Sequence, residues 1–288
     1  MSDDGRHGLS VIAFIGSVFS PYYAWSGRND PYDHIAINVA LYGPKARWAM
    51  TERGKGALDD GPDHFTVGPS ALRWEGNTLV IDVDEVTVPW PLRLKGQIRF
   101  TPDVSQPTHF ALDTTARHHW WPYAPFGRIE ANIDKPGLSW QGHGYADTNT
   151  GTTALEADFS GWTWSRASVE DGAVMFYEPQ ERSGAHKTIA IHVDAHGTVT
   201  EIDTPPRVDL NKGFWGVTRD TRSEDPSQTR ITETFVDAPF YTRDALQMVL
   251  GGRRCPAVHE SLNLDRFASP IVKLMLPFKM PRRAKWSG

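Results

Sequence analysis

Apolar and polar residues alternate with a period of two along much of the chain. The clearest stretches are residues 35–41, 79–83 and 189–193. Such alternation is typical of β-strands, because successive side chains point to opposite faces of a sheet, and we expect each of these strands to be half-buried. Clusters rich in Gly, Pro, Asn and Asp separate the apolar stretches, at 59–62, 75–77, 135–137 and 195–197. Short strands with frequent turns predict an all-β chain of antiparallel sandwiches or barrels.

The strands fall into two groups along the chain, and helix is predicted only at Thr242–Leu250 and at Leu264–Leu276. We therefore predict an N-terminal β domain of residues 1–127 and a C-terminal β domain of residues 128–288. The tail, residues 264–288, mixes apolar side chains with a basic cluster at its end. This pattern suits a foot on a membrane surface or, equally, a packed helix with a basic end.

Composition and charge exclude several classes of partner. The 288 residues carry a formal net charge of −5 and one dense basic tract, so a nucleic-acid partner is not expected. The lone Cys255 cannot form an internal disulfide or a cysteine-rich metal site. The apolar run at 9–19 is too short to span a bilayer, and two acids near the N-terminus argue against a signal peptide. We expect a cytoplasmic protein without a transmembrane helix.

Sequence signatures of cofactors are missing. The chain contains no G-x-G-x-x-G, no G-x-x-x-x-G-K-[ST], no G-x-S-x-G and no H-E-x-x-H motif. His192 and His196 are four residues apart, but they lie on a strand pattern and its following turn, and so are read as surface histidines. We therefore expect no bound metal, nucleotide or other cofactor.

The segment 116–126 concentrates aromatic residues around two prolines, in a chain that already contains 11 Trp. Proline excludes a regular helix and makes a strand awkward, so a loop is predicted. Large aromatic side chains on a loop suit the lining of a cavity, although a corner that plugs the end of a barrel is equally compatible. The candidate site residues of this segment are His118, Trp120, Trp121, Tyr123 and Phe126.

A second segment, residues 140–151, places Tyr145 and Asp147 on the same side of a strand. Gly142 and Gly144 would let another backbone or a ligand approach closely. Residues 147–151 form a turn-forming cluster, and taken alone Asp147 is more often a turn-capping carboxylate than a catalytic one. The candidate substrate contacts in and after this segment are Trp140, His143, Trp162 and Trp164.

Together these segments resemble the carotenoid 1,2-hydratase family, also called hydroxyneurosporene synthase, of phototrophic purple bacteria. The resemblance extends over nearly the whole chain. It implies two lipocalin-like β-barrel-type domains and no known cofactor. The segments that carry it are 8–23, 38–43, 50–54, the segment around His118 and Trp120, 144–151, 155–159 and 162–164.

The resemblance also implies an activity. Such an enzyme, a hydro-lyase, adds water across the terminal C1–C2 double bond of an acyclic carotene such as neurosporene or lycopene and gives a tertiary 1-hydroxy carotenoid. The family's proton donor corresponds to Asp147, and supporting roles fall on positions that match Tyr145, His118 and Trp120.

The chemistry agrees with these residues. An ordinary aspartate, with a pKa of about 3.9, is ionised at neutral pH, but burial in an apolar pocket raises that pKa. Protonation of C2 leaves a tertiary carbocation at C1, which aromatic ring faces stabilise. His118 or Tyr145 could hold the attacking water. Since a carotene resides in a membrane, we expect peripheral membrane contact by the basic tail.

Two other functions are compatible with the same residues. A lipocalin-like carrier of carotenoids or other lipids would use the aromatic residues without chemistry. A glycoside hydrolase would need a second carboxylate beside Asp147, for which Glu156 or Asp158 is available. Replacing Asp147 by Asn would leave a carrier's affinity almost unchanged but would abolish hydration.

Overall fold

A computed structural model describes residues 1–283, so the end of the predicted basic tail, residues 284–288, lies outside the described residues. The strands are β1 (Gly8–Ile15), β2 (Ile35–Tyr42), β3 (Arg47–Met50), β4 (Glu52–Arg53), β5 (Leu58–Asp60), β6 (His64–Val67), β7 (Ser70–Glu75), β8 (Thr78–Val86), β9 (Arg93–Pro102), β10 (Phe110–Ala111), β11 (His118–Lys135), β12 (Leu138–Gly151), β13 (Phe159–Val169), β14 (Gly172–Glu181), β15 (Ile189–Asp194), β16 (Val199–Glu201), β17 (Arg207–Leu210), β18 (Arg219–Arg222), β19 (Arg230–Asp237), β20 (Tyr241–Leu250), β21 (Arg253–Asn263) and β22 (Arg282–Arg283).

Helices in the described residues are short. The α-helices are α1 (Pro21–Trp25), α2 (Leu155–Asp158), α3 (Leu264–Phe267) and α4 (Pro270–Met275). Single 3₁₀ turns lie at Pro31–Asp33, Lys55–Ala57, Pro226–Gln228 and Leu276–Phe278.

The chain forms two compact units, and neither is one continuous stretch of sequence. The first contains Met1–Pro102, Gly127–Gly144 and the described residues from Lys273 onward; the second contains Asp103–Phe126 and Tyr145–Val272. The boundaries between the units therefore fall at the end of β9, inside β11, inside β12 and inside α4. The two-domain division at residues 127 and 128 stays a prediction.

The first unit contains two antiparallel arrangements. In one, β1 and β4 flank β2, which also pairs with β3, and β22 joins β4 in parallel. In the other, β5 to β9 follow one another in order, and residues 127–135 of β11 pair with β9. The interior of this unit holds a buried ion pair in which both Arg53 Nη atoms donate to the carboxylate of Glu85.

The second unit is built on a seven-stranded antiparallel sheet in the order β16-β15-β14-β13-β21-β20-β19. Buried apolar side chains, among them Phe176, Leu246 and Met248, cover one face of this sheet. The opposite face carries the side chains described below, because residues two apart on a strand share a face. The smaller β17–β18 ribbon also belongs to this unit.

These observations confirm the predicted fold class, an all-β chain of lipocalin-like antiparallel sheets with few short helices. The predicted strands at 35–41, 79–83 and 189–193 are β2, β8 and β15. The half-buried prediction is wrong for β2, where every residue is buried. Small or amide side chains alternate with the aliphatic ones there, and both faces of the strand are covered.

One predicted helix is wrong and one is confirmed. Thr242–Leu250 lies in β20, where the buried residues Thr242, Asp244, Leu246 and Met248 alternate with less buried ones. This alternation with a period of two is typical of a strand, not of the predicted helix. The predicted helical segment after Leu264 is confirmed as α3 and α4, followed by a 3₁₀ turn.

The loop predicted at 116–126 is wrong, because β11 continues straight through both prolines. Strand pairing to β10 covers His119 and Trp120, and pairing to β9 begins at Gly127. Between them Gln106 Nε2 donates to the carbonyl of Pro122, and Arg166 Nε donates to the carbonyl of Pro125. Side-chain donors therefore satisfy carbonyls where proline interrupts the ladder.

The turn predicted at residues 147–151 is also wrong. Strand β12 runs to Gly151, so Asp147 lies on a strand and does not cap a turn. Gly151 serves another purpose: a Cβ atom there would lie 2.4 Å from Nδ1 of His118. Glycine thus allows the buried histidine to pack against the end of β12.

Candidate active site

Asp147 of β12 receives hydrogen bonds from two aromatic side chains of the second unit. Trp120 Nε1 on β11 donates to Asp147 Oδ2 over 2.9 Å and lies 3.1 Å from the hydroxyl oxygen of Tyr145. Trp120 is fully buried, whereas Asp147 and Tyr145 keep part of their surface exposed. The carboxyl group is therefore anchored on one side and accessible on another.

Burial raises the pKa of Asp147 to about 6. The hydrogen bonds from Tyr145 and Trp120 act in the opposite direction, since they favour the charged carboxylate. Glu260 adds a smaller upward shift and Arg243 a smaller downward one. Since burial dominates, this carboxyl group titrates close to neutral pH and can act as an acid.

Aromatic rings surround this carboxyl group. The ring centroids of Trp120 and Tyr177 are 5.4 Å apart, and those of Tyr145 and Trp164 are 5.2 Å apart. Trp162 lies 6.3 Å from Tyr177. These are the distances of tilted and edge-to-face aromatic pairs. Burial, followed by the charge of Asp147, raises the pKa of Tyr145 and of Tyr177 well above that of free tyrosine.

Two of these rings belong to a row of cross-strand neighbours on the sheet. Trp164 on β13 lies opposite Tyr177 on β14 and opposite Glu260 on β21, and Glu260 lies opposite Arg243 on β20. Arg243 Nε and Nη2 both donate to Glu260 Oε1, over 2.9 Å and 2.5 Å. Sequence reasoning missed Tyr177, Glu260 and Arg243, because their strands are far from Asp147 along the chain.

Arg166 is a second cation near the rings. It lies two residues after Trp164 on β13, and its guanidinium carbon is 5.9 Å from the centre of the Tyr145 ring. Its Nε donates to the carbonyl of Pro125 and its Nη1 to Ser168 Oγ. Burial lowers the pKa of Arg166 to about 10, which leaves it charged at neutral pH. The residue orients Tyr145 through cation–π attraction.

His118, which the sequence placed among the catalytic candidates, lies in a different hydrogen-bond network. Its Nε2 is 2.7 Å from Asp158 Oδ2 and 3.0 Å from Thr153 Oγ1, and its ring packs against Phe159. Arg117 also donates to the Asp158 carboxylate. These bonds fasten the start of β11 to α2, and the bonds described for His118 do not include Asp147.

The remaining candidates on β11 lie beside Trp120 in sequence. The Trp121 ring stacks on His109 at 4.5 Å, and its Nε1 donates to the carbonyl of Gln106. Burial, with a contribution from the charge of Asp147, raises the pKa of Tyr123 to about 12. Phe126 is half-buried and is the last residue of β11 that belongs to the second unit.

Trp140 and His143 belong to the first unit. His143 is exposed and lies 3.2 Å from Arg128 Nη1 and from Asp3 Oδ1. A Cβ atom on the neighbouring Gly142 would lie 1.9 Å from the carbonyl oxygen of Met1. The close approach that this glycine allows is therefore made by the chain's own N-terminus.

The arrangement combines three properties. A carboxyl group with a pKa near 6 lies among Trp and Tyr rings, and the ion pair of Glu260 and Arg243 lies on the same face of the sheet as Trp164. No group of three or more His, Cys, Asp and Glu that could hold a metal ion is found within residues 1–283. Such a site can donate a proton to an apolar substrate and stabilise a cation next to the rings.

The sequence profile of the carotenoid hydratase CrtC family matches residues 11–288. The chain belongs to this family. The predicted family and the predicted enzyme class, a hydratase of the lyase type, are thereby confirmed.

Curated relatives agree with this assignment. The acyclic carotenoid 1,2-hydratase of Thiocapsa roseopersicina is 50% identical over 287 residues, which cover 98% of this chain and 71% of the relative. The acyclic carotenoid 1,2-hydratase of Cereibacter sphaeroides is 43% identical over 279 residues, which cover 96% of this chain and 99% of the relative. A role in carotenoid hydration follows from membership of the family.

Among solved structures, the chain is similar to the crystal structure of CghA with Sch210972. The TM-score is 0.50 at 10% sequence identity, over 88% of this chain and 86% of that chain. At this identity the similarity concerns the fold alone.

Proposed function

We propose that this hydratase adds water across the terminal C1–C2 double bond of an acyclic carotene, of the neurosporene or lycopene type, with Asp147 as the proton donor. The observation that carries the proposal is the raised pKa of Asp147, about 6, inside a cluster of aromatic rings. At pH 7 about a tenth of such a group is protonated, against less than a hundredth of an ordinary aspartate.

Protonation of C2 converts the double bond into a tertiary carbocation at C1. The rings of Trp164 and Tyr177 provide cation–π stabilisation without a nucleophile that could trap the cation. Tyr145 and Trp120 hold the carboxylate that remains after proton transfer, since both hydrogen bonds favour the charged form. Water then attacks C1 and gives a tertiary 1-hydroxy carotenoid.

The decisive experiment compares the wild type with Asp147→Asn in water enriched in ¹⁸O, with dispersed neurosporene or lycopene and no added cofactor. We expect a labelled tertiary alcohol from the wild type and at least a hundredfold less from the variant, as for loss of a general acid. Labelled product at the wild-type rate from Asp147→Asn would remove Asp147 from the role of acid. Bound pigment without any labelled product from the wild type would favour a carrier.

We also propose that the segment after Leu264 contacts the membrane that holds the substrate. Its helical turns expose four large apolar side chains, Ile271, Leu274, Met275 and Phe278, of which Phe278 is 78% exposed. The basic residues Lys273, Lys279 and Arg283 lie in the same short stretch. Exposed apolar side chains among positive charges suit an anionic lipid surface. Within residues 1–283, no helix is long and apolar enough to cross a bilayer.

Point variants test this contact better than truncation, because Leu264 and Phe267 are buried and β22 pairs with β4. We expect the double variant Leu274→Ser/Phe278→Ser to bind vesicles of phosphatidylglycerol and phosphatidylcholine at least tenfold more weakly in a flotation assay. A matched control is Phe214→Ser, which removes an aromatic ring that is 89% exposed elsewhere. Equal binding by the double variant and the wild type would refute the contact.

A further inference from the structure

Glu260 has one carboxylate oxygen in use and one available. The two hydrogen bonds from Arg243 to this side chain end on Oε1, and no bond to Oε2 is found among residues 1–283. The side chain is 20% exposed. A carboxylate held by a guanidinium through one oxygen keeps its orientation while its second oxygen can accept a proton.

Trp164, which lies directly opposite Glu260 on the neighbouring strand, has an indole N–H without a partner among residues 1–283. The residue is only 8% exposed, and its Nε1 finds no hydrogen-bond acceptor within the described part of the chain. A buried N–H without an acceptor is costly, so a buried donor of this kind normally binds water or a ligand. This donor is therefore a polar group that the described residues leave unsatisfied, directly opposite Glu260.

Trp164 connects Glu260 to the acid. The Trp164 ring packs at 5.2 Å on Tyr145, which belongs to the same hydrogen-bonded group as Trp120 and Asp147. Directly opposite residues in an antiparallel pair have Cβ atoms about 4.5–5.5 Å apart, so Glu260 lies next to Trp164. The charge of Glu260 also contributes to raising the pKa values of Asp147 and Tyr177.

We propose that Glu260 is a second catalytic carboxylate, the base that takes a proton from the attacking water while Trp164 Nε1 donates a hydrogen bond to that water. This inference rests on the proposed function, in which Asp147 is the acid. It divides the two proton transfers of hydration between two carboxylates, one protonated and one paired with arginine.

The proton and electron balance is complete. The π electrons of the C1–C2 bond take the Asp147 proton and form the new C2–H bond, leaving the cation at C1. A lone pair of water forms the C1–O bond, and Oε2 of Glu260 accepts one proton of that water. The products are a neutral tertiary alcohol, an ionised Asp147 and a protonated Glu260, and exchange with solvent restores the two starting protonation states.

The test separates protonation from water attack. Wild type, Glu260→Gln and Asp147→Asn are incubated with lycopene in D₂O, and hydrated product and deuterium in recovered lycopene are both measured by mass spectrometry. With Glu260→Gln, Asp147 still protonates the alkene, but the cation returns to alkene by losing a proton to Asp147. We therefore expect hydration to fall on the order of a hundredfold, and the ratio of deuterium exchange to hydration to rise at least tenfold.

Each other result has a defined meaning. Hydration by Glu260→Gln within twofold of the wild type, or a parallel loss of exchange and hydration, would overturn the role of Glu260. Deuterium exchange that persists in Asp147→Asn would instead refute Asp147 as the acid. The role of Glu260 would still be decided by the ratio of exchange to hydration in Glu260→Gln.

Two further variants control for folding. Glu178→Gln breaks a comparable pair, Glu178 with Arg222, on the opposite face of the same sheet. It is expected to keep the wild-type ratio of exchange to hydration. Glu260→Asp keeps a carboxylate on a shorter side chain, so its ratio of exchange to hydration should rise above that of the wild type, and this readout does not depend on whether Glu260→Gln folds. If Glu260→Asp has the same ratio as the wild type, the position of this carboxylate does not matter, which would contradict its role as the base.

Discussion

Two carboxylates of the second unit, Asp147 and Asp158, both accept hydrogen bonds from a ring N–H and a hydroxyl group, yet their pKa values shift in opposite directions. Burial raises the pKa of Asp147 to about 6. Burial also acts upward on Asp158, but hydrogen bonds from Thr153 and His118 and the charge of Arg117 outweigh it and lower its pKa. The balance between burial and the hydrogen bonds and charges that favour the ionised form decides which carboxylate can hold a proton near neutral pH.

This comparison assigns different tasks to the two regions. Around Asp147 the direct hydrogen-bond donors are a neutral indole and a neutral phenol, so the acid can return to its protonated form after each turnover. Around Asp158, hydrogen bonds from Thr153 and His118 and the charge of Arg117 favour the ionised carboxylate, and the contacts of His118 and Arg117 fasten α2 to the start of β11. We therefore expect Asp147 to govern the rate and Asp158 to govern stability.

The largest expected effect comes from replacing each carboxylate by its amide. Asp147→Asn should lower the hydration rate by about 10²–10⁴-fold without lowering the free energy of unfolding at pH 7, because the amide removes a buried charge. Asp158→Asn should retain most of the activity of the folded enzyme but lower the free energy of unfolding by about 1–3 kcal/mol, because His118 loses a charged partner. Turnover and urea unfolding are measured side by side for both variants. An active but unstable Asp147→Asn together with a stable but inactive Asp158→Asn would contradict this assignment.

A smaller effect concerns stability in acid. Because the pKa of Asp158 is lower in the folded chain, its stabilising contribution is present above its unfolded pKa of about 3.8 and is lost as pH falls through the folded value. The difference in unfolding free energy between the wild type and Asp158→Asn should therefore shrink below about pH 4. Urea titrations of both proteins at pH 7 and in acid measure this difference. A difference that grows in acid would show that the ionised Asp158 does not stabilise the fold.

The smallest expected change is a shift in the pH profile. Tyr145→Phe removes a hydrogen bond that lowers the pKa of Asp147, so that pKa should rise and activity should extend to higher pH. The pH dependence of kcat/KM in the variant measures this directly. A midpoint that stays in place or moves down would show that Tyr145 does not hold the carboxylate.

The sequence predicted strands well where apolar side chains alternate, as at β8 and β15, and it singled out Asp147, Tyr145 and Trp120. It failed at β11, because the prolines suggest a loop and the compensating donors, Gln106 and Arg166, come from other parts of the chain. Period and propensity are local properties, whereas these hydrogen bonds are tertiary.

Glu260 could not be found from sequence for the same reason. It lies 113 positions after Asp147 and reaches the site through the pairing of β21 with β13. No motif surrounds it, and Arg243 lies on yet another strand. The alternation of residues on β20 and β21 would have placed both side chains on one face of a sheet, had β20 been recognised as a strand.

The most direct test of the central claim, that a protonated Asp147 starts the reaction, is the pH dependence of kcat/KM for the wild type between pH 5 and pH 8. The account predicts a plateau at low pH, a midpoint at about 6 and a tenfold fall per pH unit above it, because only the protonated carboxyl group is active. A rate that stays constant or rises from pH 6 to pH 8 would contradict it.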